Sequence, residues 1–389
     1  MATEGRSRGT PARAPLHAVV REWGRIGCVG FGGPPAHIAL LRELCVDRKG
    51  WLTAQEFEDA VAACNLLPGP ASTQLAIFCA WRVAGPMGAI VGGAAFIVPG
   101  LVGILALAAV FLAGSPPNWV RGAGAGAGAA VAAVAVRAGL GLAPESWRRS
   151  RAHWRWAFYA VLGGAAAATV GPWLVLVILG CGAVEVASHS AGRGDHAGVH
   201  VWPLAALTAT ATGGLVALVW VAFKVGALSY GGGFVIIPLM QADAVDHYHW
   251  MTNTQFLNAV ALGQVTPGPV VQTVSVVGYA AAGLGGGLLA ALVAFAPSFS
   301  FVLLGARRFD RLRHNARVQA FLGGAGPAAI GAIMGAAIPL ALALDEWWQF
   351  GLLAGAAVVL FVLRRGVVTT LLLAGAVGLV AGQLGAPLP

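Results

Sequence analysis

The feature that most restricts this chain is a set of apolar stretches, each near or above the roughly 20 residues that cross a bilayer. Residues 86–113, 203–223, 283–305 and 367–384 are of this kind. In lipid the backbone must satisfy its own hydrogen bonds, so a spanning chain folds as helices or as a closed barrel. A barrel would show short alternating strands, and these stretches do not alternate. Of 389 residues, 58% are hydrophobic and 10% charged, against roughly 25% charged in a soluble protein. The reading is an all-α polytopic membrane protein.

The net charge of +9 does not indicate a nucleic-acid partner, because the arginines cluster between apolar spans, as cytoplasmic loops do. Five scattered cysteines with no CxxC spacing read as small buried thiols. Residues 1–15 lack the apolar core of a signal peptide and read as a basic cytoplasmic tail.

A shift of 199 residues superimposes the two halves. It lays Trp51 on Trp250, Thr53 on Thr252, Phe57 on Phe256, Phe96 on Phe295, and Pro68-Gly69-Pro70 on Pro267-Gly268-Pro269. Scattered apolar matches arise by chance, but a PGP, a Trp and two Phe in one register indicate duplication. Internal repeats are a common way to build secondary transporters.

Lys and Arg set the orientation. "RELCVDRK" at 42–49 is basic, and its counterpart "QADAVDHY" has no Lys or Arg. "RRSRAHWR" at 148–155 faces "WWQFGLLA", while "ARRFDRLRHNAR" at 306–317 faces the uncharged "LAAVFLAGSPPN". Equivalent loops are basic on one side only, so they are expected on opposite membrane faces. The halves read as inverted-topology repeats of transmembrane helices with Pro/Gly-broken, re-entrant half-helices.

The expected divisions are a repeat at 16–187, a polar linker at 188–202 and a second repeat at 203–389. A broken segment at about 57–81 dips in and returns, followed by spans near 86–112, 120–142, 156–170 and 172–187. An additional crossing at about 203–222 carries the second repeat to the other side. "QADAVDHY" (241–248) then becomes an outward loop, with Asp243 and Asp345 facing outward while Arg48 and Arg311 face the cytoplasm.

Each half carries two breaks, "GFGGPPAHIAL" with "SYGGGFVIIPL", and the PGP segments. Pro34, Pro68, Pro70, Pro267 and Pro269 break helices by removing a backbone donor, while Gly32, Gly33, Gly231, Gly232, Gly69 and Gly268 permit positive φ and close approach. Irregular backbone at membrane depth is tolerated against protein or a watery cavity. A half-helix starting after each PGP exposes free N–H groups and about half a positive charge, a ready anion site. Ser72, Thr73 and Gln74 stand just beyond one break and Gln272, Thr273 and Ser275 beyond the other, with Asn65 and Gln264 three residues before each first Pro. The bland alternative is that the breaks only let helices pack closely.

Lys occurs only at positions 49 and 224, and Lys224 falls on Arg25 under the shift. Cations in a membrane segment are costly and usually functional, so Arg25 and Lys224 join the candidate site unless they snorkel to the interface. Glu56 and Asp59 read as a solvated helix start, and His247 and His249 as a polar loop rather than a metal site. No cofactor or metal is expected. There is no GxxxxGK[ST] phosphate loop.

"GFGGPPAHIALL" with "NLLPGPASTQLAI", then "SYGGGFVIIPLM" with "VTPGPVVQTVSVVGYAAAG", resembles the chromate ion transporter family in its long, two-domain form, over roughly residues 16–385. The resemblance implies a multi-pass inner-membrane protein that exports chromate and confers chromate resistance, with sulfate as the related anion. Its partners would be the chromate or sulfate anion and the lipid bilayer, and a homodimer is compatible with it. The competing readings are a sulfate or other inorganic-anion uptake permease, a membrane-embedded enzyme and an assembly subunit. The enzyme would need convergent carboxylates, a His or a metal at depth, which the spans do not offer.

Overall fold

The computed structural model describes residues 14–65, 67, 69–150, 152–169, 173–191, 213–229, 236–305 and 315–389. Within them the secondary structure is helical, with no strand. Pro68, Gly231, Gly232, Arg311, most of the 306–317 basic cluster and most of the expected linker lie outside the described residues.

In the first half, α1 (Leu16–Val29) is followed by the Gly32-Gly33 break and by α2 (Pro34–Arg42), which continues as a π-helical turn, Glu43–Arg48. Helix α3 (Ala54–Cys64) leads into the PGP and α4 (Ala71–Phe111). Then come α5 (Asn118–Arg149), α6 (His153–Thr169) and α7 (Leu174–Ala191). The second half has α8 (Gly214–Leu228), α9 (Ile236–Gln241) with a π-helical turn Ala242–His247, and α10 (Asn253–Val265). A 3₁₀ turn, Val270–Gln272, opens α11 (Thr273–Gly305). Helices α12 (Ala316–Gly335), α13 (Ala337–Leu342), α14 (Trp347–Ala357) and α15 (Val367–Gln383) complete the chain.

Local details recur at the 199-residue interval. The π turns close with Lys49 N–H to Leu44 O at 3.1 Å and Tyr248 N–H to Asp243 O at 2.9 Å. A reciprocal capping box starts α3 at Thr53 and Glu56 and α10 at Thr252 and Gln255. Off that register, an ion pair of reversed sign ties each first helix to its π-turn region, Glu22 to Lys49 just past the first turn at 3.6 Å and Lys224 to Asp243 in the second at 2.6 Å.

The expected return at 81 and restart at 86 fall inside α4, where Ala84 and Gly85 leave helical geometry (Gly85 φ 72°). Ala282 and Gly283 do the same in α11. Several boundaries differ from the expectation. Helix α5 runs on to Arg149 and α7 to Ala191, the described part of the additional crossing is Gly214–Leu228, and the supposed loops at 42–49 and 241–248 are largely helical. Missing Lys and Arg suggested that Asp243 faces outward, but it is buried and neutralises Lys224.

Among the described residues, four helical segments are long and apolar enough to cross a membrane: Ala71–Phe111, Asn118–Arg149, Val270–Gly305 and Ala316–Leu342. Small residues let the backbones approach closely. A Cβ on Gly27 of α1 would meet Phe96 O of α4 at 2.6 Å, and Gly226 of α8 sits against Ala294 O of α11 in the same way. Between α4 and α11, Gly93 faces the Phe299 ring and Gly287 faces Leu105. The partner number falls as the α4 number rises, so these two equivalent helices pack antiparallel.

Candidate functional site

The two PGP turns pack crosswise. Gly69 of the first half, at φ 117°, faces Gly226 O of α8 and Ser298 of α11, and its missing side chain makes room for the Gln74 amide. Gly268, at φ 94°, donates its N–H to Gly30 O at the end of α1 (3.0 Å). Pro267 O lies against Gly100 of α4, a contact that any Cβ on Gly100 would block. Each half's PGP is therefore seated on the long kinked helix and the first helix of the other half.

Pro70 caps α4 with no side-chain bond to its first turn; Thr73 and Gln74 donate their N–H groups to Pro70 O, which leaves those of Ala71 and Ser72 without an intrahelical partner. Pro34 stands at the first position of α2 behind Gly33, at φ 74°, where a missing N–H costs nothing.

Around these turns lie buried polar atoms with no hydrogen-bond partner among the described residues. They are the hydroxyls of Thr73, Ser275 and Ser298, the amide nitrogen of Gln264 and the amide oxygen of Gln272. Buried polar groups are normally satisfied, and leaving one unpaired costs about 1–3 kcal/mol. Concentrated at two helix breaks, they indicate a place that takes a polar ligand or water.

Other candidates are already engaged. The Gln272 amide nitrogen donates to Ile97 O at 2.7 Å, so its unpaired atom is an acceptor, opposite to the donor role expected of it. Thr273 donates to Val270 O at 2.8 Å. Asn65 is half-buried at the end of α3, and Gln74 is fully buried. Arg25 is exposed on α1, whereas Lys224 is buried and paired. The two cations are therefore not a matched pair of free charges.

His37 was not among the expected site residues. It is fully buried, its Nε2 lies 2.9 Å from Gly30 O, its Nδ1 lies 3.2 Å from Ser72 Oγ, and Phe96 meets its ring edge-on. A single His in an apolar break was the available signal. Ser298 lacked one, because only tertiary packing brings it near the first PGP turn.

A cavity of about 490 Å³ lies elsewhere, bordered by Thr169, Pro238, Gln241, Asp246, Asn253 and Leu342 among others. Its charged lining residue is an Asp, which is poorly suited to an anion, so the crossing turns remain the better candidate. No group of three or more His, Cys, Asp or Glu among the described residues is arranged to hold a metal ion.

The chain is 32% identical to a chromate transport protein of Cupriavidus metallidurans over 95% of its own length and 94% of that protein's. A probable chromate transport protein of Synechococcus elongatus is 29% identical over 81% and 82%. An uncharacterized transporter of Methanocaldococcus jannaschii is 26% identical over 82% and 83%. No solved structure matches. The chromate transporter family model matches residues 17–186 and 216–379. With its apolar spanning helices, this chain is a multi-pass membrane protein of the chromate transporter family, whose members are transport proteins and not enzymes.

Proposed function

We propose that the chain exports chromate across the inner (plasma) membrane, binding the tetrahedral oxyanion where the two PGP turns cross. The observation that carries this reading is the set of unpartnered buried donors at the two breaks, Thr73 and Ser298 by the uncapped start of α4, and Gln264 and Ser275 on the helices flanking the second PGP. Desolvating a dianion is very costly, and hydroxyls, an amide and a helix N-terminus offset that cost without a fixed charge. The antiparallel packing of α4 on α11 supports inverted repeats, and rocking of one half against the other would open the site to each side in turn. Sulfate has the same charge and shape and is expected to compete.

The test is chromate flux in vesicles of known orientation, with Thr73→Val and Ser275→Ala compared at equal protein. Each replaces a hydroxyl with no hydrogen-bond partner among the described residues, so folding should be little affected while chromate affinity falls about tenfold or more, the loss of one bond to a charged group. If both variants carry chromate as wild type does, the anion binds elsewhere. Net uptake under every imposed gradient would favour the permease alternative over export.

A further inference from the structure

We propose that His37 is the proton site of this carrier, taking up a proton with the anion so that the two cross together; this rests on the anion reading above. A carbonyl only accepts, so the 2.9 Å contact with Gly30 O places hydrogen on Nε2 and leaves Nδ1 to accept from the Ser72 hydroxyl. Gly30 O also receives the Gly268 N–H. One buried imidazole thereby touches the break after α1 and the first turn of α4, and reaches the opposite PGP turn through a shared carbonyl.

The dyad occurs once. The shift of 199 lays His37 on Ile236 and Ser72 on Val271, both buried aliphatic residues. Packing alone is thus served by an aliphatic pair at the same place, and the first half holds a titratable group instead.

The surrounding charges are engaged elsewhere or exposed. On α1, Glu22 pairs with Arg21 and Lys49, and Arg25 is exposed; His17 is exposed too. At the end of α2, Arg42 pairs with Glu58 of α3, and Glu43, Asp47 and Arg48 are exposed on the π turn. On α3 and α4, Glu56 pairs with Arg82, Gln55 binds Asp59, and Cys64 and Cys79 are buried thiols. Residues 264–273 hold no titratable side chain. None of these groups hydrogen-bonds to the imidazole, whose described polar partners are Gly30 and Ser72.

The chemistry is a simple exchange. A proton binds Nδ1, giving an imidazolium with one positive charge. The Ser72 hydroxyl, until then donating its O–H to Nδ1, now accepts at its oxygen from Nδ1–H, and its hydrogen swings towards the anion beside Thr73. Bound chromate and proton together carry a net charge of −1, which an inside-negative potential drives outward. Release of the anion on the far side withdraws the compensating charge, and the proton leaves Nδ1.

The experiment compares wild type with His37→Gln in proteoliposomes at pH 6, 7 and 8, using chromate as the probe. Gln keeps an amide donor for Gly30 O but takes up no proton. The ratio of wild-type to variant flux cancels the protonation of chromate itself. The expected ratio is largest at pH 6 and falls more than tenfold by pH 8, as titration of one imidazole requires. A ratio constant with pH, with both proteins active, overturns the proton site and leaves the anion reading intact. Absence of wild-type chromate flux at every pH overturns both. Should His37→Gln fail to fold, Ser72→Ala decides: loss of its bond to Nδ1 displaces the pH midpoint of flux by about one unit, and an unmoved midpoint rejects the proposal.

Discussion

The N–H of Gly268 donates to the carbonyl of Gly30 at 3.0 Å, joining the second half's PGP turn to the end of the first half's first helix. The bond depends on Gly268 at φ 94°, a conformation L side chains rarely adopt. Gly268→Ala should destabilise the protein by about 1–3 kcal/mol and reduce transport. Gly103→Ala is the control, because a Cβ there meets nothing within 4 Å; in a helix it should be neutral or stabilising by up to about 1 kcal/mol. Thermal melts in detergent distinguish the two, and equal melting temperatures would show that the turn is not strained by a side chain.

Lys224 and Asp243 form a buried pair at 2.6 Å. Lys224→Ala leaves an uncompensated carboxylate and should cost about 3–5 kcal/mol, whereas apolar residues at both positions should recover most of it. The readout is the yield of monodisperse folded protein. Equal yields from the Lys224→Ala and Lys224→Met/Asp243→Leu variants would mean that the pair does not act as a unit.

Gln74 and Gln272 should respond differently to Glu. At Gln74, beside Gly69, a negative charge near the dianion should abolish chromate flux. Gln272→Glu sets carboxylate oxygen against Ile97 O, where the amide now donates, and should lose about 1–3 kcal/mol of stability as well as flux. Flux and melting temperature measured together would separate the cases. A Gln74→Glu protein with normal flux would remove Gln74 from the site.

Arg48 and His247 are equivalent under the shift, both exposed, and both end their π turns. They replace Asp243 as topology probes, since Asp243 is buried. Single cysteines at 48 and 247, in a background without the five native ones, should label from opposite sides, with 48 cytoplasmic. Labelling from one side would end the inverted arrangement.

The matched capping boxes differ in titration. Glu56, at the exposed start of α3, is held below its ordinary value of 4.5 chiefly by the Thr53 backbone N–H, with help from the Thr53 hydroxyl and Arg82. A carboxylate lowered on folding contributes its full stabilisation above the ordinary value and loses it as pH falls through the folded value. Gln255 does not titrate. Hydrogen exchange at the start of α3 should therefore accelerate below about pH 4, an onset at or just under the ordinary carboxylate range, while α10 is unchanged. Parallel acceleration of both would assign the effect to global loosening.

By itself, the sequence determined the membrane-helical class, the duplication and the positions of the breaks. Apolar length, a repeated PGP and left-handed glycines act locally and are visible wherever they occur. Family membership was equally legible in the four break motifs. Tertiary structure alone decided which polar groups remain unpaired. Gln272 looked like a donor for an anion until Ile97 O was brought against its amide, and Lys224 looked like a free cation until the π turn buried Asp243 beside it. His37 drew no notice until Ser72, 35 residues on, met its ring. Hydrogen bonding and charge pairing act over about 3 Å between residues far apart in the chain, so spacing does not encode them, and packing of the two halves sets them.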